Sequence, residues 1–356
     1  GTRDRAPYQA VLTHGFVVDA EGRKMSKSIG NVISPSEVIE KFGAEILRLW
    51  VSASDYREDI RISDNILKQL SDAYRRIRNT SRFLLGNLYD FDSEEDAVAY
   101  EAMPEIDRYA LHKLQLIVGK ARKAYDAYEF HIIYHALFNY CTLDLSAFYL
   151  DILKDRLYTS PPDSVQRRSA QTVLHIQVQT IARLMAPILP FTADEIWQYM
   201  PCLNGNRSSI HFAMLPEVNT AFIDDDLAAR WEYLLNIRSE VTKKLEEARA
   251  QKLVGHPLDA SVTIAAGGDA YDVLQPYADE LRSFLIVSKA TLVKDDAVKG
   301  TSESSDLEGV RIQVEAAPGE KCERCWVHET SVGSNKEQPT VCQRCQESLA
   351  QINYLS

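Results

Sequence analysis

The sequence contains no apolar run approaching the roughly 18–20 residues of a membrane-spanning helix, which sets that class of protein aside. Its first thirty residues lack the basic-then-apolar order of a secretory leader, and no internal repeat or low-complexity tract interrupts the chain. Positive charge is in short supply: 40 Lys and Arg stand against 51 Asp and Glu, a net charge of −11. That balance excludes an indiscriminate nucleic-acid binder, which needs a basic field, but leaves room for a local basic face. Cysteine is scarce too, with six in the chain. Cys141 and Cys202 stand alone, while the other four form two Cys-x-x-Cys pairs near the C-terminus. Paired thiols in a long chain without a leader read as a reducing, cytoplasmic setting and a bound metal rather than bridges.

What is present supports a sizeable core. At 356 residues the chain has room for two or three domains. The run AVLTHGFVVD, residues 10–19, is apolar and β-branched, the pattern of a buried strand. Beyond the loop that follows, Ser34 is a candidate N-cap, Pro35 the first helical residue and Glu37 the reciprocal member of a capping box. Val38, Phe42, Ile46 and Leu49 continue at helical spacing. A second helix, from Ser63 onward, carries Ile66, Leu70, Ala73, Ile77, Leu84 and Leu88 on one stripe.

Residues 89–107 hold eight acids and no Lys or Arg, which reads as a solvated connector. Further helices are expected around 106–126, then on the stripe Ala136, Tyr140, Leu143, Ala147, Leu150 and Leu157, ended by Pro161-Pro162. Another carries Ala170, Leu174, Val178, Ile181 and Met185 and stops at Pro187 and Pro190. Thr192 and Glu195 read as the capping box of a short helix bearing Trp197. Residues 65–200 therefore predict an antiparallel helix bundle. After a long helix at about 225–250 the period changes. ASVTIAA and GVRIQVEA alternate, LIVSKATLV is strand-like, and 269–283 is helical, so a small α/β module is expected, with the Ser/Glu/Asp-rich stretch 295–309 as a loop inside it.

The clearest chemical signal is at the end. Cys322 and Cys325, then sixteen residues, then Cys342 and Cys345, fall within the spacing of a four-thiolate zinc site. Lys321, Arg324 and Arg344 sit beside these positions and can offset the negative charge of four thiolates. With every coordination position filled by protein, such a site has no seat for an activated water and is structural. His328 is a spare candidate that the four cysteines make unnecessary.

The string RKMSKS, residues 23–28, places three cations and two hydroxyls between a predicted strand and a capped helix, flanked by Gly22 and Gly30. Cations held in such a loop suit a polyphosphate whose charge grows during reaction. On the second helix Arg75, Arg78 and Arg82 share a face at i, i+3 and i+7, with Arg76 beside them; they suit phosphate contacts or pairing with the acids at 90–107. Trp326 suits either stacking on an RNA base or filling the small core of a metal module. Cys141, Trp197 and Trp231 fall on apolar stripes and read as core. His131 and His135 lie at i, i+4 with no third ligand nearby.

KMSKS is the signature loop of class I aminoacyl-tRNA synthetases, and HGFVVDAEGRKMSKSIGNVISP resembles the isoleucine-specific, bacterial-type members more than the valine, leucine or methionine ones. RLWVSASDYREDIRIS, YRRIRNTSRFLLGNL and KCERCW…CQRC extend the resemblance to the anticodon-binding bundle and the zinc tail. It implies a mainly α chain: the end of a Rossmann-type catalytic domain at 1–60, a helical bundle at 61–215, a helix with a small α/β module at 216–316, and a zinc module at 317–356. It also implies a C-terminal portion, since the family's H-x-G-H motif has no counterpart beside His14-Gly15 or Gly255-His256, and the inserted editing domain is missing. By resemblance, Lys24 and Lys27 would hold the ATP phosphates and Ser26 and Ser28 would shape the loop; Arg75, Arg78, Arg82 and Trp326 are candidates for RNA contact on the residue reading alone. The implied partners are ATP with magnesium, isoleucine and its tRNA, around one structural zinc, in a cytoplasmic monomer. The alternatives are a stand-alone RNA-binding or scaffold protein derived from such an enzyme, or a valine- or leucine-specific synthetase.

Overall fold

The computed structural model describes residues 4–201, 209–294, 307 and 309–355; Cys202 and nearly all of the loop expected at 295–309 lie outside the described residues. The described residues are mainly helical, with three small sheets among them. Its elements begin with strand β1 (Val17–Val18), helices α1 (Pro35–Phe42) and α2 (Ala44–Ala53), strand β2 (Ile60–Arg61) and helix α3 (Asp64–Gly86). Helices α4 (Glu105–Asp126) and α5 (Phe130–Asn139), a π-helical segment (Tyr140–Tyr149), α6 (Leu150–Thr159), α7 (Val165–Met185), α8 (Pro190–Gln198) and α9 (Asp225–Ala250) follow. Then come β3 (Ala260–Ala266), α10 (Gly268–Leu274), α11 (Leu281–Leu285), β4 (Lys289–Lys294), β5 (Val310–Ala316), β6 (Glu320–Lys321), β7 (His328–Glu329) and α12 (Gln343–Leu355). No helix among the described residues is long and apolar enough to cross a membrane.

The elements gather into two compact units. The first holds the described residues to Asp92, with Lys113–Ala147 and Leu174–Asn219. Here the strand expected over 10–19 shrinks to Val17–Val18, paired in parallel with Ile60–Arg61, and Val11, Leu12 and Phe16 are exposed. A parallel partner only two residues long leaves the rest of the run without a ladder. Gly15 enters this pairing so closely that a Cβ would lie 2.3 Å from the Glu58 carbonyl. Ser34 caps α1 as expected, its Oγ accepting from the Glu37 amide at 3.3 Å. The helix nevertheless ends at Phe42, because Gly43 takes φ 91°, and Val38 and Ile46 belong to separate helices.

Two more expectations in this unit are corrected. Thr192 does not cap α8: the helix starts at Pro190, and Thr192 lies in its first turn. The cap comes from α2, where Glu45 accepts from the amides of Phe191 and Thr192 at 2.8 and 3.1 Å and from the Thr192 hydroxyl. A carboxylate suits that end of a helix because the orphan amides carry partial positive charge. Of the stripe expected through Ala136, Tyr140, Leu143, Ala147, Leu150 and Leu157, Leu143 and Ala147 are exposed while the other positions are buried. Inside the π-helical segment Tyr140, Cys141, Leu145 and Tyr149 are buried instead, positions that the wider turn brings towards one face. The Cys141 carbonyl also accepts from Ser146 Oγ at 2.8 Å and Thr80 Oγ1 at 3.3 Å.

The second unit holds Ser93–His112, Phe148–Val173 and the described residues from Thr220 onward. Its sheet has the order β4–β3–β5, with β4 parallel to β3 and β5 antiparallel. Helix α9, capped by Asp224, presents Trp231 to a buried aromatic group: stacked on Tyr109 at 5.3 Å and edge-on to Phe284 at 5.6 Å. The acidic stretch 89–107, whose end forms the first turn of α4, is not wholly solvated. Asp107 is fully buried; its carboxylate accepts two bonds from Arg156, at 2.6 and 3.1 Å, and one each from Tyr149 and Ser169 at 2.8 and 2.6 Å.

Breaking a buried, bidentate ion pair by removing one partner leaves the other charge uncompensated. Asp107→Ala should therefore cost about 3–5 kcal/mol in urea unfolding. A loss below about 1 kcal/mol, the scale of a surface pair, would show the network to be dispensable.

Candidate phosphate loop and metal centre

The signature loop is organised by two side chains that the sequence reading passed over. Asp19, directly after β1, is 5% exposed. Its Oδ1 accepts from the Arg23 and Glu21 amides at 2.8 and 3.1 Å, and its Oδ2 accepts from Arg23 Nε and Asn31 Nδ2, both at 2.9 Å. Asn31 Nδ2 also reaches the Lys24 carbonyl at 3.3 Å, and Asn31 Oδ1 accepts from the Ser26 amide at 2.9 Å. Both ends of the loop are thus pinned to one Asp–Asn pair. Gly22 and Gly30, at φ 79° and 74°, turn the backbone at its edges in a region that other residues enter with strain.

The cations divide into two kinds. Arg23 is committed to Asp19 and, at 3.0 Å, to Glu21. Lys24 and Lys27 are exposed and have no carboxylate partner among the described residues; the Lys24 ammonium lies 5.8 Å from the centre of the Phe16 ring. Ser26 and Ser28 face each other, Oγ to Oγ, at 3.1 Å. The Asn31 amide foremost, with the Arg23 amide and guanidinium, holds the Asp19 carboxyl down at about 2.

The four cysteines converge. Their sulfurs all lie within 4.8 Å of one another, and Cys325 and Cys342 are 3.7 Å apart. Sulfurs about 3.8 Å apart are what a tetrahedral ion with bonds of about 2.3 Å requires, so the set fits a zinc ion. Each Cys-x-x-Cys is a tight turn: the Trp326 amide donates to the Cys322 carbonyl at 2.8 Å, and the Gln346 amide to that of Cys342 at 3.0 Å. The Cys342 amide donates to Cys322 Sγ at 3.3 Å. The Cys325 thiol is held at about 4 chiefly by a hydrogen bond from Cys345, with the Val327 amide and Arg344 adding, and the same bond pushes Cys345 upward. The cluster alone accommodates one anion and resists the next; a divalent cation removes that conflict. His328 stays outside the set, its Nε2 3.4 Å from Asp259 and its Nδ1 3.2 Å from the Gly319 carbonyl.

The arginines of α3 do not pair with the acids at 90–107. Arg75 pairs with Asp72 of its own helix at 2.8 Å and Arg78 with Glu195 at 3.1 Å; Arg82 is exposed without an ion pair among the described residues. Trp326 does not fill a core: it is 59% exposed, at φ 65°, with the Lys321 ammonium 5.4 Å from its ring centre. His131 and His135 gather no third ligand, since the cysteine set is the sole metal-competent group among the described residues. Asp19 and Asn31 left one signal in the sequence, a lone Asp closing an apolar run and an Asn after the second glycine.

A carboxyl whose folded value lies below its unfolded one, 3.8, stabilises the loop above that pH and stops doing so as pH falls towards about 2. Amide exchange at Arg23 should accordingly stay protected at about pH 5 and be lost across that lower interval. In Asp19→Ala it should be fast throughout; protection unchanged by that substitution would remove Asp19 from its organising role. Metal analysis of freshly prepared protein should give about one zinc per chain, and less than about half an equivalent would contradict the four-thiolate site.

Comparison with known proteins agrees with this geometry. Residues 1–63 match the family "tRNA synthetases class I (I, L, M and V)", 107–264 the "Anticodon-binding domain of tRNA ligase", and 319–347 the "Zinc finger found in FPG and IleRS". Isoleucine–tRNA ligase of Geobacter sulfurreducens is 54% identical over 345 residues, that of Syntrophotalea carbinolica 55% over 347, and that of Moorella thermoacetica 49% over 346. Each match covers 97% of this chain and 37% of the relative, so the chain spans little more than a third of the length of these enzymes. With its loop, its helical middle and its thiol cluster each matched in place, the chain belongs to the isoleucine–tRNA ligase family of class I tRNA synthetases.

Proposed function

We propose that this chain supplies the signature loop, the RNA-facing helices and the structural zinc of an enzyme that activates isoleucine with ATP and transfers it to its tRNA. The observation that carries the reading is the division of the loop's cations. Asp19 and Glu21 hold Arg23 as part of the framework, while Lys24 and Lys27 keep exposed ammonium groups with no carboxylate to neutralise them. Ammonium groups fixed by a preorganised loop stabilise charge that develops on a leaving pyrophosphate more than charge already present on ATP.

In this reading Lys24 and Lys27 bind the β and γ phosphates of magnesium-bound ATP, Lys27 being the more important. Ser26 and Ser28, bonded to each other, keep the loop's shape. Arg75, Arg78 and Arg82 meet RNA phosphates, and Trp326 offers an exposed ring to a base. The first two arginines would exchange Asp72 and Glu195 for phosphate on binding. The zinc is structural, and the enzyme works as a cytoplasmic monomer, where unbridged thiols persist.

The test is Lys27→Ala in the complete enzyme. ATP–pyrophosphate exchange should fall by roughly 10²–10³, the scale of one electrostatic donor. Exchange at the wild-type rate, in a variant that still binds zinc, would take Lys27 out of the reaction.

A further inference from the structure

The signature loop has another cation beside it, carried by a strand that reaches it only through the fold. Arg61 closes β2, and its backbone is firmly held. It stands opposite Val18 in the parallel ladder, and the next amide, that of Ile62, donates to the Val18 carbonyl at 3.0 Å. Trp50, buried in α2, donates its indole N–H to the Arg61 carbonyl at 2.9 Å.

Val18 has a second partner on its other edge, where Lys24 bridges to it in antiparallel sense. Residues directly opposite one another in adjacent strands send their side chains to the same face. Arg61, Val18 and Lys24 therefore form one row, with Phe16, whose ring lies near the Lys24 ammonium, two residues along the same face. Alternation sends Ile60 and Ile62 to the opposite face, where Ile62 is buried. The two cations flank Val18 at two strand spacings, roughly 10 Å between Cα atoms, which long side chains can close onto one ligand.

The Arg61 side chain runs to the loop. A Cβ added to Gly22 would stand 3.5, 3.7 and 3.8 Å from its Nη2, Nε and Cζ, so the guanidinium lies along loop backbone that carries no side chain. It is also unspent. Four arginines occur from residue 23 to residue 61. Arg23 is held by Asp19 and Glu21, Arg48 donates to the carbonyls of Pro187 and Ile188 at 2.7 and 3.0 Å, and Arg57 forks onto Asp55 at 2.8 and 2.7 Å. Arg61 is exposed and has no ion-pair partner among the described residues. A planar guanidinium grips two oxygens of one phosphate, whereas an ammonium acts as a point charge, so the two kinds of cation complement each other on a polyphosphate.

We infer that Arg61 is a further phosphate-binding residue of the signature loop, taking two oxygens of the ATP polyphosphate while Lys24 and Lys27 meet others. The inference rests on the reading of the loop proposed above and extends it to a residue outside the signature string. A fork onto oxygens that are charged in ATP and in pyrophosphate alike binds ground state and transition state nearly equally. Its loss shows in KM rather than in kcat.

ATP–pyrophosphate exchange by the complete enzyme tests this, because it proceeds without tRNA and so separates nucleotide from RNA. Arg61→Gln should raise the KM for ATP about 10–100-fold, the scale of hydrogen bonds to a charged group, with kcat within about threefold of wild type. Arg61→Lys, which keeps the charge but not the fork, should recover part of the loss. Arg57→Gln is the control; its guanidinium is spent on Asp55, and its KM for ATP should stay within about twofold of wild type. In aminoacylation at saturating ATP, the KM of Arg61→Gln for tRNA should be that of wild type.

An unchanged KM for ATP in Arg61→Gln would overturn the inference. So would a raised KM for tRNA with exchange untouched, which would give Arg61 to an RNA phosphate instead. Lys27→Ala measured alongside separates the two claims. Slow exchange there with normal exchange in Arg61→Gln removes Arg61 alone, while wild-type exchange in Lys27→Ala removes the reading of the loop itself.

Discussion

A carboxylate withdrawn from water must be met by donors, and a folded chain can supply them only from segments it has already brought close. That requirement recurs wherever this protein joins distant parts of its sequence. Asp19 gathers the Arg23 and Asn31 side chains and so sets the path of the loop between them. Glu45 accepts the first amides of α8 across 146 residues of sequence. Asp107 ties α4 to α6 and α7 through Arg156 and Ser169. Asp155 holds the second zinc knuckle through Arg344. An excess of acid that looks like mere solubility in the composition is, at these four positions, the means of assembly.

The same requirement explains what was legible in the sequence and what was not. The zinc ligands were legible because their geometry is local: two residues between cysteines suffice to aim two sulfurs at one point. The cap at Ser34 was equally local, its side chain accepting from an amide three residues on. Thr192 had the right type and spacing for a cap, yet a carboxylate from α2 satisfies that helix end, and no pattern within 190–198 could announce it. Asp107 hides for the same reason, sitting among seven other acids in a stretch that looks solvated while its partners lie 42, 49 and 62 residues away.

Periodicity failed in a different manner. Leu143 and Ala147 continue a 3.6-residue stripe on paper, but inside the π-helical segment the wider turn buries Cys141, Leu145 and Tyr149 in their place. Thr80 and Ser146 hydroxyls both donate to the Cys141 carbonyl at the start of that segment. A polar residue on α3 thus helps decide the helical phase of a segment sixty residues on, and a hydrophobic pattern carries no trace of it. The strand expected at 10–19 failed because β-branching specifies a strand's willingness to pair but not the length of its partner.

How a chain of net charge −11 would meet phosphate in the proposed function depends on where its ion pairs are spent. At the prevailing salt concentration a charge is felt over about 8 Å, so the overall acidity governs approach more than contact. Contact depends on which cations remain available. In the loop Arg23 is consumed by its neighbours and the two lysines are not; along α3, Arg75 and Arg78 hold carboxylates at exposed positions while Arg82 holds none among the described residues. Exposed ion pairs of this kind contribute little to stability, so exchanging their carboxylate for a phosphate forfeits little. A surface of free lysines and weakly paired arginines on an acidic body resists casual polyanions at a distance. In the proposed function it would still close on one that arrives with the right geometry, so the acids are part of the selectivity and not background.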